Sequence, residues 1–382
     1  MRPPETDVSY SSSSDQVVTQ AGPTLFLGAG ASSYLGFPVC GDFFKSKELQ
    51  DIVRLPAYKE IAHSLSHEGE NVDLEEFLAV TATLSGIEQG RMTPAPASSY
   101  IAKILDLASL KAREGRPEVM SKRRDDYPPY VPDAEEISDL DLATKAAIIE
   151  IFGRDITSEV ARPTRVVLDA MLGARSSLPL SVFTTNYDTV IENALEPLRE
   201  AEGTQSVNDG FQLKRGMVVW SSDSHGDAGT YSDDERRKTV VEFYKLHGSA
   251  NWGYRSDGSV VRESGSLKAN LAKHAVIYPG FKGIPDIPVL RHAHIAFRRA
   301  LATSNRLVVF GYSFRDAYLN SIMSDALQEN RRLRVVVVDI RPGPVVERLS
   351  AVGVKSDRIV PITGNLEGVD TASVLMSAVE QA

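Results

Sequence analysis

Thr24–Phe43 reads TLFLGAGASSYLGFPVCGDF, and the rest of the chain is organised around it. Thr24 to Leu27 are apolar or β-prone and predict a short buried strand. Gly28-Ala29-Gly30-Ala31-Ser32 follows at once. A strand running into a glycine turn offers backbone N–H groups to a phosphate. Gly28 is expected to take the turn at positive φ, which a Cβ would oppose. Gly30 is expected to let the backbone approach a pyrophosphate. Gly36-Phe37-Pro38 then closes a loop before a helix near Gly41-Asp42-Phe43. The spacing departs from the common dinucleotide pattern, because Ser33 stands where the third glycine would fall. No acidic residue ends a strand some twenty residues on, so an ordinary NAD dehydrogenase is not expected.

Further strands end in polar residues. Leu178–Phe183 runs into Thr184-Thr185-Asn186-Tyr187-Asp188, ahead of a helix TVIENALEPL. VVEFYKL ends in His247-Gly248-Ser249. Arg306–Phe310 ends in Gly311-Tyr312-Ser313, with a helix from about Asp316. LRVVVVD, Leu333–Asp339, has the continuous valine run of a parallel strand covered on both faces. RIVPITG adds a last short strand, and the segment from Leu366 onward a final helix. Polar residues at such strand ends occupy the carboxyl edge of a parallel sheet, where ligands bind. Each also has a local reading. Asn186 or Asp188 can cap a helix, His247 can be a satisfied structural histidine, and Asp339 can cap a loop or accept hydrogen bonds from ribose hydroxyls.

Between the first strand and the second, residues 45–110 and 141–173 carry apolar residues at helical spacing, with Asn71 or Asp73 as a cap for NVDLEEFLAVTATLSGI. His63 and His67 lie four apart on one helix face, a metal-capable spacing, but no carboxylate motif accompanies them and a surface or packing pair is the favoured reading. Residues 113–140 are charged and proline-rich and read as a linker, in which Lys122-Arg123-Arg124 is offset by Asp125-Asp126. Residues 203–239 read as a mobile excursion or a hairpin tip, containing an exposed His225. The expected architecture is therefore α/β: a Rossmann-like parallel sheet with helices on both faces, over residues 21–48 and 174–382. An α-helical subdomain is inserted over 49–173, and residues 1–20 form a disordered tail.

The composition narrows the partners. At 382 residues, 42% hydrophobic and 24% charged, the chain reads as a globular protein of two domains or one with an insertion. A net charge of −9 provides no field for nucleic acid or an anionic membrane. Cys40 is the only cysteine, which excludes an internal disulfide and a multi-thiolate zinc site. No stretch has signal-peptide or membrane-spanning character, so a cytoplasmic location is expected.

Taken in order, GAGAS with GFP, TTNYD, LHG, and GYS followed by a strand ending in aspartate resemble the sirtuin family, and more closely the sirtuin-like NAD-hydrolysing proteins of bacterial antiphage defence. Gly28–Ser32 is similar to the family's phosphate loop, and Gly36-Phe37-Pro38 with Asp42-Phe43 to its GIPDFR stretch, with Phe44 in place of the arginine. The four-cysteine zinc module of deacylating sirtuins has no counterpart in a chain with one cysteine. The resemblance implies NAD as substrate without a metal, split into nicotinamide and ADP-ribose. It implies catalytic roles for Asn186, His247 and Asp188. Cofactor contacts are implied for Gly28, Ala29, Gly30, Ser32, Phe37, Pro38, Asp42, Thr185, Gly311, Ser313 and Asp339. It also implies a homo-oligomer, with a HerA-type ATPase or an Argonaute-like protein as partner, and NAD depletion as the defence. A non-catalytic NAD or ADP-ribose sensor and a protein deacylase are the alternatives. The helical block is expected to serve as an oligomer interface or as a lid.

This chemistry suits those residue types. The leaving nicotinamide departs neutral from a pyridinium, so no acid is needed for it, while positive charge builds on the ribose. Asn186 has an amide oxygen and donor for ribose hydroxyls or water. His247 can take a proton from a ribose hydroxyl or from water.

Overall fold

The computed structural model describes residues 22–65, 71–88, 132–174, 178–200, 207–222, 239–263, 274–278, 285–351 and 353–367. The expected tail, His67, Lys122–Arg124, His225 and nearly all of the expected last helix lie outside these residues.

Seven strands form a parallel sheet: β1 (Thr24–Leu27), β2 (Leu180–Thr184), β3 (Val207–Asn208), β6 (Val241–Lys245), β10 (Arg306–Phe310), β11 (Arg334–Asp339) and β12 (Ile359–Thr363). Their order is β12-β11-β10-β1-β2-β6-β3. β1 therefore sits between β10, reached late in the chain, and β2, reached next. The chain leaves β1 for β2 on one side and later returns to β10 on the other, so a crevice opens at the carboxyl ends of β1 and β10, where α/β sheets bind ligands. A glycine turn stands at each of those two ends.

Alternate residues of β1 face opposite layers, as the strand period requires. Leu25 and Leu27 belong to one buried core, and Phe26 to another. The first core is covered by α1 (Gln50–Arg54), α2 (Pro56–Leu65), α3 (Leu74–Glu88), α4 (Ala134–Phe152), α5 (Arg162–Gly173) and α6 (Val190–Glu200). The second lies under α7 (Pro288–Thr303), α8 (Ala317–Glu329) and α9 (Pro342–Ala351). Phe77 on α3 and Ile148 on α4 share the core of Leu25 and Val182, so the described helices of 49–173 pack directly on the sheet in one shared core.

Several local expectations are corrected. The helix expected near Gly41 is a 3-10 segment, Cys40–Lys45. The linker reading of 113–140 fails from Ala134 onward, where α4 begins. Asp133 accepts from Glu136 N while Glu136 accepts from Asp133 N, a reciprocal cap that starts the helix. Asp73, the second of the two caps considered, accepts from Glu75 N at 2.9 Å. In the described part of 203–239 the hairpin reading holds and the mobile-excursion reading does not: Lys214 pairs Met217 across a tight antiparallel turn. β4 (Phe211–Lys214) and β5 (Met217–Trp220) join β7 (Gly248–Tyr254), β8 (Val260–Arg262) and β9 (His274–Val276) in an antiparallel sheet ordered β4-β5-β8-β7-β9. Buried Asp209 ties this sheet to the first, ion-paired to Arg199 of α6 at 2.6 Å and to Arg262 of β8.

Candidate functional site

The glycine turn owes its composition to its neighbour. Gly28 has φ −97°, so the expected positive φ is not observed. Glycine is required there by close approach, since a Cβ would stand 2.7 Å from Gly311 O and from Tyr312 Cα. At Gly30 a Cβ would meet Gly311 Cα at 2.8 Å. Gly311 itself has φ +56°. The turns after β1 and β10 thus touch backbone to backbone. Gly28 N donates to Phe310 O, Gly30 N to Gly311 O, Ala31 N to Gly28 O and Ser32 N to Ala29 O, at 2.8–3.2 Å. These four amides are already engaged, which corrects the picture of a bare row of donors.

The segment after β2 is laced to the same turn. Thr184 Oγ1 donates to Leu27 O at 2.8 Å and accepts from Asn186 N at 3.0 Å. Asn186 Nδ2 then donates to Gly28 O at 3.0 Å and to Ser32 Oγ at 2.9 Å. Both amide hydrogens are used on the turn, and Oδ1 has no hydrogen-bond partner among the described residues. Asp188 accepts from Val190 N at 3.0 Å and caps α6. It is fully buried. Burial pushes its carboxyl above the usual range, against the Lys245 ammonium, the Val190 amide and the Ser32 hydroxyl. Lys245, also buried, donates to Asp188 O and pairs with Glu192 at 2.9 Å. The cap reading of Asp188 is the one its contacts show.

β6 delivers His247 to the other side. Its carbonyl accepts from Ile277 N at 2.8 Å, and the preceding Leu246 carbonyl faces His294 Nε2 at 2.9 Å. Burial drives the His294 pKa down to about 4, so that ring is neutral near pH 7 and donates. The His247 ring meets Asp316, where Nε2 lies 3.0 Å from Oδ2. Asp316 also caps α8, accepting from Tyr318 N and Leu319 N. Burial would raise its pKa, but the His247 contact and the two amides outweigh burial and hold it below the usual range.

Twelve of the fourteen expected residues line one cavity of about 810 Å³ at the β1/β10 crevice, among them Asn186, His247, Gly311 and Asp339. Gly28 and Ser32 lie behind it, as the acceptors that hold Asn186. Some members are engaged elsewhere. Asp42 pairs with Lys45 at 2.7 Å, and Asp339 Oδ1 accepts from Arg341 N at 2.7 Å, the loop cap foreseen as its alternative. Phe37 stacks on Phe152 at 5.6 Å, so α4 supports the wall.

Two carboxylates of the cavity lie outside the expected set, Asp316 and Glu75. In the sequence Asp316 marks only a helix start. Glu75 of α3 also lines the cavity, and burial and Asp73 push its carboxyl up. Asp73 in turn pairs with Arg315. Among the described residues no group of three or more His, Cys, Asp or Glu is placed to hold a metal, and no helix is long and apolar enough to cross a membrane.

Residues 180–352 match the SIR2-like domain. That SIR2-like segment carries Asn186, His247, Gly311 and Asp339, and starts after the glycine turn. Its fold is mixed α/β, as expected, with the parallel sheet flanked by helices. Among solved structures, a mutant Sir2 homologue complexed with 2′-O-acetyl ADP ribose aligns at TM-score 0.40 and 12% identity, over 96% of this chain and 94% of that one. A Sir2 homologue–NAD complex aligns at TM-score 0.39 and 12% identity, over 95% and 91%. No curated protein matches the chain.

Proposed function

We propose that the chain is an NAD glycohydrolase, releasing nicotinamide and ADP-ribose. The observation that carries this reading is the convergence of Asn186 and His247, from the ends of two different strands, on one cavity beside paired glycine turns. The SIR2-like match over the same strands supports it. The diphosphate lies against Ala29–Ser33 and Ser313, and Asp339 faces the adenosine ribose. Asn186 Oδ1, left over once Nδ2 has fixed the turn, holds a hydroxyl of the other ribose or the attacking water. Water oxygen bonds to C1′ as the C1′–N bond breaks. That electron pair neutralises the pyridinium nitrogen, and His247 accepts the water's proton. Positioned acid–base catalysis of this kind is worth about 10²–10⁴ in rate.

Unrestrained loss of NAD is lethal, so in this reading the activity is held back until a trigger, as abortive defence against phage requires. Assembly into an oligomer or with a HerA-type ATPase supplies that restraint. The test is nicotinamide release by the purified chain, alone and with candidate partners. His247→Ala and Asn186→Ala are predicted to abolish release. Unchanged release in both variants rejects the mechanism, and tight NAD binding without turnover under every condition turns the reading into a sensor.

A further inference from the structure

The loop from Gly311 to Asp316 is more constrained than a helix start needs to be. Phe314 has φ +53°, a left-handed conformation rare for a bulky residue. Its ring is buried, and its carbonyl accepts from Asn320 Nδ2 at 2.8 Å. Arg315 is tied to Asp73 on the opposite wall. The outcome is an Asp316 carboxylate with one oxygen, Oδ1, fixed by two α8 amides and the other, Oδ2, 3.0 Å from His247 Nε2.

We infer that Asp316 is the positioning residue of His247: it accepts the Nε2–H, fixes the tautomer, and leaves the Nδ1 lone pair to take the proton in catalysis. The catalytic part rests on the hydrolase reading, and the tautomer part does not. Nδ1 has no hydrogen-bond partner among the described residues, whereas the backbone on both sides of the ring is held by Ile277 and His294. Other titratable groups reach His247 from three further directions: Glu75 on α3, neutral His294 on α7 and the buried Tyr187 ring, 6.5 Å away between centroids. Asp316 alone among them contacts the ring nitrogen. Its Oδ2, 3.0 Å from Nε2, sets a carboxylate against the ring on the side away from Nδ1, where it orients the imidazole without standing in the path of the transferred proton.

The rival reading is a helix cap and nothing more. Asp316→Asn separates the two. An asparagine keeps the oxygen that caps α8, since Asn caps as well as Asp. It places an NH₂ group opposite Nε2, which favours the tautomer with the proton on Nδ1 and removes the base. The expected result is an unchanged melting temperature and KM for NAD, and a kcat lower by about 10²–10⁴. ¹⁵N-histidine NMR of the full chain reads the tautomer without turnover: proton on Nε2 in the wild type, on Nδ1 in the variant. Should the asparagine variant unfold, Asp316→Ser keeps a cap and deletes the carboxylate, and a mixture of tautomers is expected. A wild type protonated on Nδ1, or a variant with unchanged kcat and tautomer, overturns the inference. A wild type that shows the Nε2 tautomer but releases no nicotinamide overturns the hydrolase reading and leaves the positioning intact.

Discussion

Gly30→Ala tests whether the two glycine turns hold each other. The new Cβ would stand 2.8 Å from Gly311 Cα and 3.0 Å from Gly311 O. Carbon atoms pack at about 3.5–4.0 Å, so one turn must withdraw by roughly 0.7 Å or more. Both neighbours are backbone, and no flexible side-chain end can yield. Overpacking of this kind costs about 1–3 kcal/mol. Withdrawal also stretches the Gly30 N to Gly311 O hydrogen bond, 2.9 Å long, worth about 0.5–1.5 kcal/mol. A loss of about 2–4 kcal/mol is therefore expected from the two effects together. Asn186 is bonded to the same turn through Gly28 and Ser32, so NAD affinity should fall with stability. Gly41→Ala is the control, because no heavy atom lies within 4 Å of its Cβ position; a change within about 0.5 kcal/mol is expected. Urea unfolding gives the stabilities and calorimetry the NAD affinities. A Gly30→Ala protein with wild-type values in both would refute the reasoning.

Two further outcomes follow from buried charges. Burial would raise the Asp209 carboxyl, but Arg262 and Arg199 outweigh it and bring its pKa down to about 2. A pKa depressed on folding stabilises above the unfolded value, near ~3.9, and the contribution fades as pH falls through ~2. Asp209→Asn should cost about 2 kcal/mol at pH 7 and flatten the acid limb of stability between about pH 4 and pH 2; an unchanged limb would contradict this. Lys245→Met leaves the half-buried Glu192 and the buried Asp188 without their cation and should cost about 3–5 kcal/mol, read by urea unfolding at pH 7, with equal stability the contrary result.

The parallel strands were legible because each of β1, β10 and β11 is a short apolar run with a sharp polar end. Thr24–Leu27 and Arg306–Phe310 appear with the bounds the sequence implies. Beyond a hairpin in 203–239, the antiparallel sheet was not legible. Strands such as GSANWGY and VVR are short, and glycine blurs their alternation. α4 carried its own start signal in Asp133 and Glu136, masked by the charged, proline-rich residues ahead of it. At the cavity, residue types at strand ends identified Asn186 and His247. Asp316 has the sequence of any helix cap, and its partner lies 69 residues away. The need for glycine at 28 and 30 comes from Gly311, which local conformational preference does not reveal.

The central claim is that one cavity seats the dinucleotide with its reacting sugar between Asn186 and His247. A crystal structure of the wild-type chain with ADP-ribose tests it most directly. The account predicts the diphosphate against Ala29–Ser33 and Ser313, and a hydroxyl of the distal ribose within about 3.2 Å of Asn186 Oδ1 or His247 Nδ1. A distal ribose bound away from both side chains, or ADP-ribose outside the β1/β10 crevice, would contradict it.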